Sequence, residues 1–160
     1  MKVLDAAVNV QNRLGIQTLA YCVLDNEIHM ILQAEEKEDI HKFPELILQR
    51  YKKSCLSDTD DFAWFSAAVS PCQFRKPELR ELKDEACALR CCIKLHMMPV
   101  STGIAASPGD YWWSSYTDYL GRKWIALTDT QPLLIWLSPD ERTAVRMMKR
   151  KHEMKRAAVR

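Results

Sequence analysis

The sequence predicts an α+β fold in which helices pack against an antiparallel sheet. Two apolar, β-branched runs at 16–24 and 28–32 flank Asp25-Asn26, a pair that suits a tight turn, and together they predict a β-hairpin. Apolar residues at spacings of three and four before and after this hairpin predict helices. The chain has 160 residues and is 48% hydrophobic, which suffices for one domain with a buried core and excludes an intrinsically disordered chain.

The first half of the chain alternates between helical and extended patterns. Apolar spacing predicts an amphipathic helix over 2–13, directly before the hairpin. The charged residues 35–42 are expected to be exposed, and a second helix is predicted over 43–56 with Pro44 in its first turn. An apolar run at 62–69 predicts a further strand.

The second half begins with a helix predicted over 77–95, with acidic residues near its start as the helix dipole favours. Asp110 is expected to cap an aromatic helical turn that Gly121 ends. The sequence SPDE at 138–141 is a strong helix start, and it predicts a basic helix that continues to the C-terminus. We therefore predict two parts, an α+β domain over 1–121 and a C-terminal extension over 122–160.

The charge is distributed unevenly between these parts. Residues 1–138 hold 15 Lys and Arg against 18 Asp and Glu, a net charge of −3, whereas residues 139–160 hold 8 against 3, a net charge of +5. A basic segment of this kind is typical of proteins that bind a polyanion, most often nucleic acid, although a solvated terminal helix has the same composition. Gly-rich phosphate loops and the GxSxG, HExxH and Walker motifs are absent from the sequence.

No apolar run approaches the about 18–20 residues of a membrane span, and the first 15 residues lack the apolar core of a signal peptide. We therefore expect a cytoplasmic protein that does not bind membranes, and six cysteines that are reduced thiols. Cys87 and Cys91 share a helix face, and Cys92 lies one turn before His96, so zinc is one reading of this cluster. Buried thiols are the interpretation we favour, because no CxxC pair is present.

Two further groups of side chains carry chemistry. Glu27 and His29 lie two residues apart on a predicted strand and so share a face, where they would hold a divalent cation if further oxygen ligands joined them. An aromatic cluster precedes Arg122 and Lys123, and its rings would either stack on unpaired bases or close the core. We assign Trp113 to the core. The cluster consists of Tyr111, Trp112, Trp113, Tyr116 and Tyr119.

Two segments resemble the REP-associated tyrosine transposases, which are single-tyrosine members of the HUH nuclease superfamily. Residues 20–32, AYCVLDNEIHMIL, are similar to the family pattern A-Y-V-L-M-P-N-H-V-H-L-L. Residues 94–121, KLHMMPVSTGIAASPGDYWWSSYTDYLG, are similar to Y-I-H-L-N-P-V-R-A-G-L-V followed by P-x-D-Y-x-W-S-S-Y and Leu-Gly. The stretch at 126–142 resembles the C-terminal extension of the family, and residues 33–93 match only loosely.

The resemblance implies a ferredoxin-like HUH palm with an antiparallel sheet, which binds single-stranded or hairpin DNA. In this family a tyrosine hydroxyl attacks a backbone phosphate and forms a phosphotyrosine link. A divalent metal, Mg²⁺ or Mn²⁺, held by a His-x-His pair polarises that phosphate. A third metal ligand comes from the helix of the tyrosine, one turn further along.

This chain departs from the family at the positions of that chemistry. Glu27 replaces the first histidine, whereas His29 is retained, and Lys94 stands at the position of the tyrosine. Met98, a poor ligand for a hard cation, stands where the family has an amide. A shifted alignment that places Cys92 and His96 at these positions needs an insertion within a helix. We therefore expect no bound metal and no phosphotyrosine chemistry.

The family also carries a strand before its first helix, whereas this chain starts within that helix. The resemblance therefore predicts a sheet that lacks its first strand and has an open edge, which a second copy of the chain would fill as a homodimer. The chain would then be a truncated reading frame, or its true start would lie upstream.

The leading hypothesis is an inactive member of the family that still binds DNA. The predicted DNA contacts are the side chains of Tyr111, Trp112, Tyr116, Arg122, Lys123, Lys149, Arg150 and Lys151. A second hypothesis is an active metal-dependent nuclease or transposase whose nucleophile has moved to Tyr111 or Tyr116. A third is a remnant without a selected function, or a small interaction module.

Overall fold

The computed structural model describes residues 2–57 and 77–157, and the predicted strand at 62–69 lies outside them. The chain forms two compact units, one of residues 1–16 and 34–81 and the other of residues 17–33 and 82–160. The described elements are helices and one two-stranded antiparallel sheet, which confirms the α+β class. The predicted domain boundary after residue 121 falls inside the second unit.

The first unit contains α1 (Lys2–Leu14) and α2 (Lys37–Ser57), which pack against each other. α1 confirms the predicted amphipathic helix. α2 begins at Lys37, well before the predicted start at Phe43. Most of the charged residues 35–42, which are expected to be exposed, therefore belong to the first two turns of this helix. Pro44 consequently lies inside the helix, where it cannot donate a backbone hydrogen bond. Two acidic residues in the first turn favour this earlier start because they complement the helix dipole.

The second unit is built on the predicted hairpin of β1 (Gln17–Val23) and β2 (Ile28–Gln33). The strands pair in antiparallel register, with Cys22 opposite His29 and an irregularity between Thr18 and Ala20. The turn is the predicted one at Asp25-Asn26, and the backbone N–H of Leu24 donates to the carbonyl of Glu27 at 2.8 Å. The sequence therefore placed this hairpin correctly.

The edge of β1 that faces away from β2 is covered by residues 111–129 rather than open. Three side-chain hydroxyl groups of this segment form hydrogen bonds with the backbone of β1. The hydroxyl of Tyr111 donates to the carbonyl of Val23 and that of Tyr119 donates to the carbonyl of Leu19, both at 2.6 Å. The Oγ of Ser115 accepts from the backbone N–H of Tyr21 at 2.9 Å. Backbone groups complete the coverage, since Val23 donates to the carbonyl of Trp113 and Asp129 donates to that of Thr18, both at 2.8 Å. The described residues therefore leave no open edge at β1, whereas β2 has β1 as its one strand partner among them, so the expected open edge stays a prediction at β2.

Helix α3 (Glu85–His96) packs against both strands and starts later than the predicted helix over 77–95. Asp84 is extended, and its Oδ1 accepts from the backbone N–H of Cys87 at 2.6 Å. A capping carboxylate satisfies an N–H that the first turn of a helix leaves unpaired, so Asp84 fixes the start of α3. Residues 77–83 precede this cap without helical structure.

The aromatic segment forms two short 3₁₀ helices, Pro108–Asp110 and Ser115–Leu120, after the short helix α4 (Met98–Ser101). The single helical turn predicted to begin at Asp110 is therefore wrong, because Trp112 and Trp113 form a turn and Ser114 makes a single antiparallel bridge to Cys22 of β1. Gly121 ends the second 3₁₀ helix in the left-handed conformation, with φ of 78°, which confirms the predicted stop.

Two helices complete the second unit, α5 (Gln131–Leu137) and α6 (Glu141–Ala157). α6 confirms the predicted basic helix, although its cap is Asp140, whose Oδ1 accepts from the N–H of Thr143 at 2.8 Å. The core of the unit includes Leu19, Ile31, Leu95, Tyr119, Leu133 and Met148. Among the helices described, none is long and apolar enough to cross a membrane.

The hydroxyl of Tyr119 gives a test of this edge. We expect Tyr119→Phe to lower the free energy of unfolding by about 1–3 kcal/mol, because the buried carbonyl of Leu19 loses its donor. Tyr116→Phe is the matched control, since Tyr116 is also buried but its hydroxyl makes no hydrogen bond to the described residues. Urea denaturation measures both variants. Equal losses in both would contradict the proposed role of the hydrogen bond.

Candidate nucleic-acid interface

Three tryptophans lie exposed around the aromatic segment. Trp112 is 73% exposed, Trp113 is 40% exposed and Trp124 is 41% exposed. The rings of Trp113 and Trp124 meet edge to face, with centroids 5.6 Å apart. Sequence reasoning missed Trp124, although its position directly after Arg122 and Lys123 was a usable signal.

The tyrosines of the segment, not its tryptophans, close the core. The assignment of Trp113 to the core is wrong, because its side chain is 40% exposed. What it contributes to β1 is its backbone carbonyl, which accepts from the N–H of Val23. Tyr111 and Tyr116 are buried, which is incompatible with the predicted stacking of their rings on bases. Burial also raises the pKa of both phenols, so neither hydroxyl is activated as a nucleophile.

Arg122 and Lys123 follow the left-handed turn at Gly121 and are exposed beside the tryptophans in sequence. The Nζ of Lys123 donates to the carbonyl of Thr128 at 2.7 Å, which holds the loop before α5. Arg122 makes no ion pair with any residue that the structure describes. Its guanidinium is therefore available to a phosphate. We name the exposed residues Trp112, Trp113, Arg122, Lys123 and Trp124, among which the rings of Trp113 and Trp124 are in contact, the tryptophan patch.

The basic residues of α6 that are predicted to contact DNA differ in their exposure. Lys149 and Arg150 are exposed, whereas Lys151 is half-buried. α6 packs against the 3₁₀ helix Ser115–Leu120 through its other face.

Glu27 and His29 lie together as their spacing predicts. The Oε2 of Glu27 and the Nε2 of His29 are 2.8 Å apart, and both side chains are at least partly exposed. Within the described ranges, no group of three His, Cys, Asp or Glu side chains is arranged to hold a metal ion. Lys94 is exposed on α3 and Met98 is half-buried, so neither supplies the oxygen ligand that Mg²⁺ or Mn²⁺ prefers.

Cys92 and His96, the residues of the shifted alignment, are fully buried. Their side chains are adjacent, with 3.7 Å between Sγ and Nδ1. Burial raises the pKa of the Cys92 thiol to about 12, so the thiolate needed for nucleophilic attack does not form near neutral pH. The shifted alignment therefore gives no accessible nucleophile.

A buried chain of hydrogen bonds joins β1 to α6 through His96. Ser115 Oγ lies 2.8 Å from His96 Nε2, His96 Nδ1 lies 3.1 Å from His152 Nε2, and His152 Nδ1 lies 2.8 Å from the carbonyl of Met148. The carbonyl of Met148 can only accept, so His152 donates from Nδ1 and its Nε2 accepts. We therefore assign the proton between the two rings to His96 Nδ1, and the hydroxyl of Ser115 then donates to His96 Nε2. Burial lowers the pKa of both histidines, as this neutral arrangement requires.

This serine–histidine pair has the hydrogen bond of a hydrolase nucleophile and base, yet it has no access to a substrate. Ser115 and His96 are 0% exposed and His152 is 1% exposed. This series of hydrogen bonds therefore has a structural role, because the hydroxyl of Ser115 connects β1 to α3 and, through His96, to α6. The i,i+4 spacing of Cys92 and His96 pointed to this region, but the contribution of His152 from α6 had no signal in the sequence.

A buried carboxyl group lies beside the tryptophan patch. The oxygens of Asp118 and the hydroxyls of Tyr21 and Thr128 are buried and make no hydrogen bond of good geometry to the described residues, although Thr128 lies beside Asp118 and Trp124 beside Tyr21. Burial raises the pKa of Asp118 to about 6, although nearby Thr128 and Lys123 act in the opposite direction. Asp118 in turn contributes to the raised pKa of the Tyr21 phenol, whose main cause is burial.

The tryptophan patch contains exposed rings and cations, a combination that in nucleic-acid-binding proteins contacts unpaired bases and their phosphates. No protein-family model, no curated protein and no solved structure matches the chain. The chemistry of the patch therefore carries the functional argument.

Asp118 gives a prediction for the pH dependence of stability. Because its folded pKa of about 6 lies above its ordinary value of 3.8, folding favours the protonated form, and this stabilising effect is lost as pH rises through 6. We expect Asp118→Asn to raise the free energy of unfolding by about 1–3 kcal/mol at pH 8 and progressively less between pH 6 and 4. Urea denaturation across this range measures the difference.

The exposed turn residue Asp25 provides the control, and Asp25→Asn should show no such pH-dependent gain. The buried histidines act with the opposite sign, because their lowered pKa values weaken the fold as pH falls below about 6.5. That effect is shared by wild type and Asp118→Asn and cancels in the difference. A gain that does not change with pH would contradict the assignment of a buried, ionising Asp118.

Proposed function

We propose that the protein binds single-stranded or hairpin DNA and does not cleave it. The observation that carries this proposal is the tryptophan patch, in which three exposed indole rings accompany Arg122 and Lys123. Every base has a π-face, so exposed aromatic rings bind unpaired bases without reading their sequence. The exposed cations of α6 add the sequence-independent attraction to phosphates.

The patch needs a functional explanation because large apolar side chains are normally removed from water. Trp112 exposes 73% of its surface, although tyrosines beside it in the chain are buried. Grouped exposed apolar residues, rimmed by polar ones, mark interaction sites on soluble proteins. Because cations accompany the rings in this patch, a polyanion with stacking groups suits it better than an apolar protein surface.

The proposal includes the family resemblance and its fold. The described hairpin, followed later in the chain by α3 against both strands, is compatible with part of a ferredoxin-like HUH palm. Membership of the transposase family is supported by the two motifs of the sequence, AYCVLDNEIHMIL and PGDYWWSSYTDYLG.

The proposed absence of cleavage follows from the side chains at the family's reactive positions. An amine at Lys94 cannot form a phosphotyrosine link, and the hydroxyl of Tyr111 is committed to the carbonyl of Val23. The divalent metal that the resemblance implies does not fit the described residues, since Glu27 and His29 offer only two donors and Met98 a thioether. The geometry therefore gives no support to a relocated tyrosine nucleophile.

Trp112 gives a direct test of DNA binding. We expect Trp112→Ala to weaken binding of a fluorescent 15-nucleotide single strand about tenfold, because stacking contributes about 1–3 kcal/mol per base. Trp136→Ala is the matched control, since Trp136 is 42% exposed on α5 but lies outside the patch, and it should bind as wild type does. Fluorescence anisotropy at about 50 mM salt measures both, with a salt titration to count phosphate contacts. Failure of wild type to bind, or equal losses in both variants, would overturn the proposal.

Cleavage is tested separately with a labelled hairpin DNA in the presence of Mg²⁺ or Mn²⁺. We expect no covalent protein–DNA adduct after denaturation, because burial raises the pKa of the Tyr111, Tyr116 and Tyr119 phenols and so disfavours the phenolate. Denaturing gel electrophoresis detects such an adduct. Its appearance would disprove the loss of activity, and its absence from Tyr111→Phe or Tyr116→Phe would identify the nucleophile.

A further inference from the structure

A cleft of about 220 Å³ opens between α6 and the 3₁₀ helix Pro108–Asp110, within the second unit. Lys149, Glu153 and Arg156 line it from α6, and their spacing of four and three residues places them on one helix face. The buried side chains of Tyr116 and His152 form part of its wall. Its volume is smaller than the about 300–1,000 Å³ of pockets that enclose a drug-sized ligand, so it suits a small group.

The cations of this cleft lack anionic partners. The Nε of Arg156 is buried and has no hydrogen-bond partner within residues 2–57 and 77–157. Over the same residues, no ion pair joins Glu153 to Lys149 or Arg156, although all three line the cleft. A buried guanidinium N–H without an acceptor is costly, and an anion within the cleft would remove that cost.

We propose that this cleft binds a phosphate monoester at the end of a nucleic-acid strand, held by Arg156 and Lys149. The guanidinium offers N–H donors in a planar fork that matches phosphate oxygens, and the ammonium adds a point charge. A terminal phosphate presents three acceptor oxygens and nearly two negative charges, so it uses two cations better than an internal phosphodiester does. The carboxylate of Glu153, which also lines the cleft, offsets part of the positive charge.

The identity of the ligand as a strand end rests on the proposed DNA binding, whereas the phosphate site itself does not. The two are therefore tested with different probes. Thymidine 5′-monophosphate and thymidine, compared by isothermal titration calorimetry at pH 7.5, test the phosphate site without a DNA strand. Three 12-nucleotide single strands, with a 5′-phosphate, a 3′-phosphate or only hydroxyl ends, test the strand end by fluorescence anisotropy.

Charge-matched variants on the same helix separate the cleft from the general basic surface of α6. We expect Arg156→Gln to weaken monophosphate binding about tenfold, whereas Arg142→Gln, outside the cleft, should leave it unchanged. Lys149→Gln is a second test that does not depend on the half-buried Arg156, since Lys149 is exposed, and it should also weaken monophosphate binding. Lys155→Gln, outside the cleft, is its control. Glu153→Gln should tighten binding, because it removes the carboxylate from the wall.

The outcomes separate the two proposals. A terminal phosphate that strengthens oligonucleotide binding in wild type, with the gain lost in Arg156→Gln but kept in Arg142→Gln, supports the strand-end site. Equal affinity for all three strands overturns it, even if DNA binding itself is confirmed. If no strand binds, the DNA-binding proposal and the strand-end assignment both fail, and the calorimetry decides the phosphate site. The phosphate site is overturned if thymidine and its monophosphate bind equally, or if Arg156→Gln behaves like Arg142→Gln.

Discussion

The hydrogen-bonding requirement of one strand edge determines much of the second unit. β1 pairs with β2 on one side only, and its other edge is buried, so each carbonyl and N–H there needs a partner from elsewhere in the chain. The segment 111–129 supplies these partners through hydroxyl groups and its own backbone. Because side-chain hydroxyls supply several of these hydrogen bonds, the segment does not need to pair with β1 as a regular strand. It forms short 3₁₀ helices and turns beside β1 instead.

This coverage fixes which aromatic side chains point inward. Tyr111 and Tyr119 reach the carbonyls of β1 with their hydroxyls, so their rings must lie in the core. Trp113 contributes only its backbone carbonyl at this edge, and its indole is left at the surface. Ser115 satisfies Tyr21 and also contacts His96, so the same edge positions α3 and, through His152, α6. The tryptophan patch and the cleft against α6 therefore depend on one set of hydrogen bonds.

Local patterns in the sequence predicted local structure well. The hairpin, the end of the 3₁₀ helix at Gly121 and the basic helix were all found, because turn residues, caps and periodicity act over a few positions. The start of α3 was misplaced because the acidic residues after Pro77 resemble a helix start, whereas Asp84 provides the actual cap. The orientation of Trp113 was misassigned because hydrophobicity alone favours a buried tryptophan, and the partners of a strand edge are not visible in a single sequence.

The inward tyrosines and the outward tryptophans also give a physical reason for the proposed DNA binding without cleavage. A tyrosine nucleophile needs a free hydroxyl near the phosphate, but Tyr111 and Tyr119 use theirs to satisfy buried carbonyls. Releasing either hydroxyl would leave a carbonyl unpaired, at a cost of about 1–3 kcal/mol. The indole of Trp112 is 73% exposed and meets no such requirement, whereas Trp124 lies beside the Tyr21 hydroxyl of β1. The use of these phenols to hold β1 is therefore consistent with the proposed DNA binding without cleavage.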